Sequence, residues 1–236
     1  MPWTIVRLGI VGSTQTVAKE HLATGQGAGI VIVAEGQTDG RGRRNRSWHS
    51  PDGGLYMTVL LKPVGEVRLI TLMGGVVVAE AIRATADLGV GLKWPNDVLI
   101  GGKKVGGVLA ESGWSNEEVR HVLLGMGVNL NNPVPDWLPD ATSLSKELGE
   151  MVDIDAFLHR LLETLDLYLL RMESDPELIL SSWRESSLTL GKMVYITDRS
   201  GETVSGFAVD VDQDGSLIVD CGGEIKRVVS GVLEFR

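Results

Sequence analysis

The sequence predicts an α+β fold in two parts. A mixed sheet with helices packed on it is expected over residues 1–188, and a small β-barrel over 189–236. Two patterns and the composition carry this. Strand-like runs alternate with amphipathic helical stretches up to about Leu188. From Leu190 the texture changes to short β-like runs separated by Asp-Gly and Gly-Gly turns, the habit of a small barrel. With 43% hydrophobic residues in a chain of 236, one sizeable core plus an appendage is within reach.

Taken in order, Thr4 to Val11 reads as a strand, and Gly12-Ser13-Thr14 opens a short helix. Ser13 or Thr14 would be its N-cap, Val17, Ala18 and Leu22 its apolar stripe, and Gly25 its stop. Ile30 to Glu35 and Leu55 to Lys62 are β-branched or leucine-rich strands around a long polar stretch. Arg68 to Leu88 is predicted helical, with Leu69, Leu72, Met73, Val76, Val77, Ala81 and Ile82 on one face and Gly89 as C′ residue. Gly74-Gly75 within it costs about 1 kcal/mol each, which close packing against a neighbour would explain. Gly91 to Trp94 is a short strand, and Pro95-Asn96-Asp97 is turn chemistry. Val98 to Ile100 and Val105 to Ser112 flank Gly101-Gly102 as a hairpin, and Val119 to Leu130 is a strand interrupted by Gly125 and Gly127. Asn131 to Ala141 holds three prolines and reads as a loop. Ile154 to Met172 has the clearest helical periodicity, and Pro176 to Glu185 is a second helix. Four β runs close the chain: Met193 to Thr197, Thr203 to Val211, Ser216 to Val219 and Glu224 to Val229.

Charge and cysteine content narrow the function. A net charge of −9 argues against general polyanion binding, so Arg41, Arg43, Arg44 and Arg46 mark a focused site. Cys221 is the only cysteine, which excludes an intrachain disulfide and a cysteine zinc cluster, and the four histidines are scattered. The start lacks a basic segment followed by an apolar one, and no apolar run approaches a membrane span. A cytoplasmic location is expected.

Four stretches could carry chemistry. Gly-Ser-Thr-Gln (12–15) offers two hydroxyls and an amide at a strand-to-helix turn. GQTDGRGRRNRSWHSPDGG (36–54) combines glycines, which let backbone N–H groups approach an anion, with guanidinium donors and the π-face of Trp48. A loop this long and this polar is either functional or a solvated connection, and the arginines favour an anion site. It has too few apolar residues for core packing, so ligands are expected to order it. KWPNDVLIGGKKVGG (93–107) places Asp97 and Lys104 on two arms of a hairpin. GMGVNLN (125–131) has glycines where a ligand or another backbone comes close. GGKKV lacks the spacing of a phosphate-binding P-loop, and GMGVNL lacks the third glycine of a dinucleotide fingerprint. His49 reads as a solvated loop histidine.

In this order and spacing the stretches resemble the biotin protein ligases, over Ser13 to about Asn131, and the resemblance extends to the C-terminal region. Asn45 stands where many members have glycine, and asparagine tolerates positive φ. The resemblance implies a catalytic domain like that of class II aminoacyl-tRNA synthetases and an SH3-like C-terminal barrel. It implies ATP, biotin and Mg²⁺, formation of biotinyl-5′-AMP, and transfer to a lysine of a biotin carboxyl carrier domain. On that resemblance Lys104, Arg43 and Asp97 are catalytic. Ser13, Thr14, Gln15, Gln37, Arg41, Gly42, Lys104, Gly107, Gly125 and Gly127 bind biotin, and Arg41, Arg43, Trp48 and Asn129 bind the nucleotide; no metal ligand is assigned. The Ser-Thr motif begins at residue 13, which leads to the short class without a DNA-binding domain, binding neither DNA nor membrane, and homodimers are common in the family. A lipoate–protein ligase or a non-catalytic small-molecule-binding regulator are the alternatives; the first lacks this arginine loop, and the second has no need of paired Asp97 and Lys104.

Overall fold

The computed structural model describes residues 2–63, 66–116, 118–198 and 200–235. Seven strands, β1 (Thr4–Val11), β2 (Ile30–Gln37), β3 (Leu55–Leu61), β4 (Val90–Lys93), β5 (Asp97–Ile100), β6 (Lys103–Ser115) and β7 (Glu118–Val128), form one mixed sheet. Their order is β1-β2-β3-β7-β6-β5-β4, and β1 pairs with β2 in parallel while the other pairs are antiparallel. A parallel pair needs a crossover, and α1 (Thr14–Ala23) supplies it.

The two faces of the sheet are used differently. One carries the main core under α2 (Val67–Thr85), α4 (Ile154–Ser174) and α5 (Glu177–Glu185), with Val31, Val59, Val108 and Leu124 among its fully or nearly fully buried residues. At Gly74 a Cβ would stand 2.8 Å from Val108 Cγ1 and 3.2 Å from Leu124 Cδ1, so this glycine lets α2 lie close on β6 and β7. Gly75 has no such need: its Cβ would make an ordinary 3.5 Å contact with Leu92. The helix stops at Thr85 because Ala86 is extended (φ −153°), which leaves Gly89 beyond the helix rather than at its C′ position. On the other face α1 covers only part of the sheet, through Ala18 against Ile32, Leu60 and Leu123. The uncovered part is where the glycines of β6 and β7 lie.

Five antiparallel strands follow: β8 (Met193–Thr197), β9 (Thr203–Val211), β10 (Leu217–Asp220), β11 (Ile225–Val228) and β12 (Val232–Phe235), in the order β11-β10-β9-β8-β12. The four-residue β12 and the five-residue α3 (Leu144–Leu148) were not foreseen, being too short for periodicity to register. Val194, Ile196, Ala208 and Leu217 belong to the same apolar cluster as Leu92 and Trp94, so this sheet packs on the larger unit through a shared core. Trp94 is 2% exposed, and its Nε1–H donates to Gly215 O at 3.1 Å.

Asp214 fastens the same junction. Arg68 of α2 and Arg227 of β11 both pair with its carboxylate, and Ser216 donates to it from backbone and hydroxyl at 3.0 Å each. Burial works against its charge, but the Ser216 and Arg68 hydrogen bonds hold its pKa well below the usual carboxylate range. A depressed folded-state pKa contributes stability above the unfolded value of about 3.9 and loses it as pH falls through the folded value. Asp214→Asn is therefore expected to melt lower than the parent chain at pH 7, with the gap narrowing below about pH 4. Thermal melts across that range check it; a constant gap would contradict it.

Candidate active site

The floor of the site is a trough in the sheet. Gly107 of β6 pairs with Gly127 of β7, which pairs with Tyr56 of β3, and Gly125 lies between Leu109 and Thr58. Cross-strand partners share a face, so three missing side chains open one continuous slot. A register shift in the β5–β6 hairpin then places the lysine. Lys104 pairs with Leu99 and Gly106 with Val98, leaving Val105 as the extra residue of a bulge. Across the bulge Lys104 comes onto the face of Gly107 and Asp97, and its Nζ lies 2.5 Å from Asp97 Oδ1. Its backbone is fixed from the far side by Asp140 O (2.7 Å) and Thr142 N (2.9 Å).

The Gly-Ser-Thr-Gln turn forms one wall. Gln37 Oε1 accepts from Thr14 N (2.9 Å) and Thr14 Oγ1 (3.2 Å), Thr58 Oγ1 donates to Thr14 Oγ1 (2.9 Å), and Gln37 Nε2 donates to Ser50 Oγ (2.9 Å). Gln15 Nε2 reaches Leu109 O at 3.2 Å. Ser13 occupies the N-cap position of α1 but makes no cap hydrogen bond. Its hydroxyl is buried, and among the described residues it has no partner; the same holds for Gln15 Oε1, Trp48 Nε1 and Asn132 Oδ1. Each buried polar group left unsatisfied costs about 1–3 kcal/mol. Four of them around one cavity point to a polar ligand.

The arginine loop closes over the trough. Its strands approach at Gln37–Ser50 and Arg41–Ser47, and Trp48 N–H donates to Gly40 O at 2.8 Å. A Cβ at Gly40 would stand 2.4 Å from Trp48 O, so only glycine fits there. At the tip a 3-10 turn (Arg43–Asn45) puts Arg44 (φ 58°) and Asn45 (φ 60°) in left-handed conformations. Asparagine at the position of the family's glycine thus meets a backbone it tolerates. Arg43 Nη1 donates to Asn96 Oδ1 at 3.3 Å. The Trp48 indole lies on the glycine floor: a Cβ on Gly127 would stand 2.6 Å from its Nε1, and one on Gly107 3.0 Å from its Cζ3. Lys104 Nζ is 5.1 Å from the ring centroid, a cation–π contact.

These parts enclose a cavity of about 300 Å³ lined by every site residue foreseen from the sequence except Asp97, which adjoins it through Lys104. Asn129 is committed on both ends of its carboxamide, donating to Thr142 O (3.0 Å) and accepting from Asn132 Nδ2 (3.1 Å). Arg46, one of the four arginines of the expected anion site, lines the cavity as well, whereas sequence reasoning missed Asn96 and the proline segment, of which Asn132, Val134 and Leu138 line it. Three prolines in eleven residues were the available signal for a stiff wall. His49 is exposed, as expected of a loop histidine, and at the cavity rim it stands edge-on to the equally exposed Trp137 at 5.3 Å. Uncharged donors and acceptors at one wall and Arg41, Arg43, Arg46 and Lys104 at the other suit a ligand with a neutral polar head and an anionic end. Among the described residues no group of three or more His, Cys, Asp or Glu could hold a metal ion.

Comparison with known proteins gives matches to the biotin/lipoate A/B protein ligase family over residues 9–129 and to the biotin protein ligase C terminal domain over 189–236. The chain is 34% identical over 235 residues to the bifunctional ligase/repressor BirA of Bacillus subtilis, covering 96% of this chain and 72% of that protein. It is 33% identical to the biotin–[acetyl-CoA-carboxylase] ligase of Mycobacterium tuberculosis, covering 93% and 84% respectively. The fold is similar to that of the Aquifex aeolicus biotin protein ligase in complex with biotin and ATP, with a TM-score of 0.87, 30% identity and coverage of 99% and 98%.

Proposed function

The chain belongs to the biotin/lipoate A/B protein ligase family, and we infer from that premise and from the site that it is a biotin–[acetyl-CoA-carboxylase] ligase. It joins biotin and ATP into biotinyl-5′-AMP: the biotin carboxylate attacks the α-phosphorus and pyrophosphate leaves. A neutral lysine amine of a biotin carboxyl carrier domain then attacks the mixed anhydride, an amide forms and AMP leaves. Magnesium bound with the nucleotide would supply neutralisation of phosphate charge; the described cavity lining carries no carboxylate, which suits an ion held mostly by phosphate and water.

The observation that carries the reading is the cavity itself, which joins the buried, unpartnered hydroxyl of Ser13 to the cationic end at Lys104. In this reading Ser13, Thr14, Gln15 and Gln37 hold the uncharged ureido ring, and Gly107, Gly125 and Gly127 supply its slot. Lys104 spans the biotin carboxylate and the α-phosphate, where charge develops as the bond forms. Arg41 and Arg43, with the Gly42 backbone, steady the phosphates and carboxylate. Trp48 leaves the glycine floor to stack on adenine, and Asn129 faces the nucleoside while bracing the proline segment. Asp97 orients Lys104 and is the carboxylate placed to receive the acceptor amine's proton.

We read residues 1–188 as the catalytic domain and 189–236 as an SH3-like domain, the support being the change to five short antiparallel strands. A homodimer is part of the same reading, supported by the free edge of β1, where Ile10 is 74% exposed. The net charge of −9 disfavours DNA as a partner, and among the described residues no helix is long and apolar enough to cross a membrane. A cytoplasmic site of action accords with this.

The vitamin assignment is tested by thermal shift with ATP present: biotin should raise the melting temperature and lipoate should not. The reverse order would favour a lipoate ligase. Ser13→Ala extends the test. With no cap hydrogen bond to lose and an unpartnered buried hydroxyl removed, it should melt no lower than the parent while binding biotin about tenfold more weakly. A lower melting temperature with unchanged affinity would return Ser13 to helix capping, whose loss costs about 0.5–2 kcal/mol.

A further inference from the structure

We propose that Arg44 is a positioning residue, a latch that fastens the arginine loop to the C-terminal sheet and so holds the backbone that carries Arg43 and Trp48, while the Trp48 ring stays free to turn onto adenine. Arg44 is not part of the cavity lining. Its guanidinium turns the other way: Nη1 donates to Thr197 O at 2.9 Å and Nη2 to Asp198 O at 2.5 Å. Those two carbonyls lie where β8 ends. The turn that carries them is braced from within, since Asp198 Oδ1 accepts from Ser200 N (2.7 Å), Ser200 Oγ (2.6 Å) and Glu202 N (3.1 Å). A fork of donors thus meets a fixed pair of acceptors, a geometry that suits arginine and that lysine cannot reproduce.

The local backbone shows why a fastening is needed. Two consecutive non-glycine residues in left-handed conformation are unfavourable, and arginine lacks the short polar side chain that eases asparagine into that region. The turn persists because its surroundings hold it, and Arg44 supplies charge-assisted hydrogen bonds at that very residue. On either side of the latch stand working groups: Arg43 against Asn96, and Trp48 on the floor formed by Gly107 and Gly127. Opening the loop to release a bound adenylate would have to break the Arg44 fork. The C-terminal sheet thereby slows escape of a hydrolysable anhydride without touching it.

This rests on the ligase reading in its kinetic arm only. There, Arg44→Ala is expected to release preformed biotinyl-5′-AMP about tenfold faster, as loss of charge-assisted hydrogen bonds implies, with Arg44→Lys between the two. Release as slow as the parent's in both variants would overturn the latch's kinetic role. The second arm is hydrogen exchange on the chain without ligand and needs no reaction. Arg44→Ala should deprotect the hydrogen-bonded amides of Gly42, Arg46 and Trp48 and leave α2 protected. Parent-like protection of those three amides would overturn the proposal even in a chain that makes no adenylate. Should alanine unfold the protein, Arg44→Lys is expected to show the same loop-confined loss in smaller measure, and its absence there would be equally decisive against the latch.

Discussion

Lys104→Ala is expected to lower biotinyl-5′-AMP formation by at least about a hundredfold while leaving the fold intact. The lysine stands on a bulge that turns it toward Asp97 and Gly107, its backbone is held by Asp140 and Thr142, and its amine lies beside the cavity's cationic end. A charge fixed where negative charge develops in the transition state contributes on the order of 3 kcal/mol, and none of that arrangement survives truncation. Only about a third of the side chain is exposed, and its ion pair with Asp97 is partly solvated, so the loss of stability should be small. Single-turnover adenylation separates chemistry from product release. A variant retaining near-parental rates would remove Lys104 from the reaction.

Gly127→Val should act on binding instead. A Cβ at this position would already lie 2.6 Å from Trp48 Nε1, and the valine methyls extend further into the slot. Trp48 could swing away, but the methyls would then occupy the space left for the ligand. Overpacking of this kind costs about 1–3 kcal/mol, so biotin affinity should fall roughly ten- to hundredfold. Calorimetric titration with biotin alone checks it. Parental affinity would show that the ligand does not lie in the glycine trough.

How much of this was legible in the sequence depends on how local each feature is. The hairpin at Gly101-Gly102, both with positive φ, and the strand-to-helix turn at Ser13 are written in a few adjacent residues. So are the glycines of 107, 125 and 127, though their facing one another is a property of register between β6 and β7. The bulge at Val105 left no mark in the sequence, and without it Lys104 and Gly107 would point to opposite faces. Capping and ligand binding make the same demand of Ser13 on paper; only burial without a partner separates them. Asn96 looked like turn chemistry, yet it joins Val108 to Arg43, partners set by tertiary structure. The arginine loop was expected to have too few apolar residues for core packing and to be ordered by ligands. The contacts it does make were not legible because they are tertiary: Trp48 on the glycine floor, and Arg44 on carbonyls far along the chain.

One cavity makes a mixed anhydride of biotin and AMP and then hands biotin to a lysine. Mass spectrometry of the purified chain with biotin, ATP and Mg²⁺, before and after adding a biotin carboxyl carrier domain, tests this two-step transfer most directly. Biotinyl-5′-AMP and pyrophosphate should form first, and the carrier should then gain one biotinyl group on a lysine as AMP appears. A folded chain that binds biotin and ATP but yields neither the adenylate nor the modified carrier would contradict it.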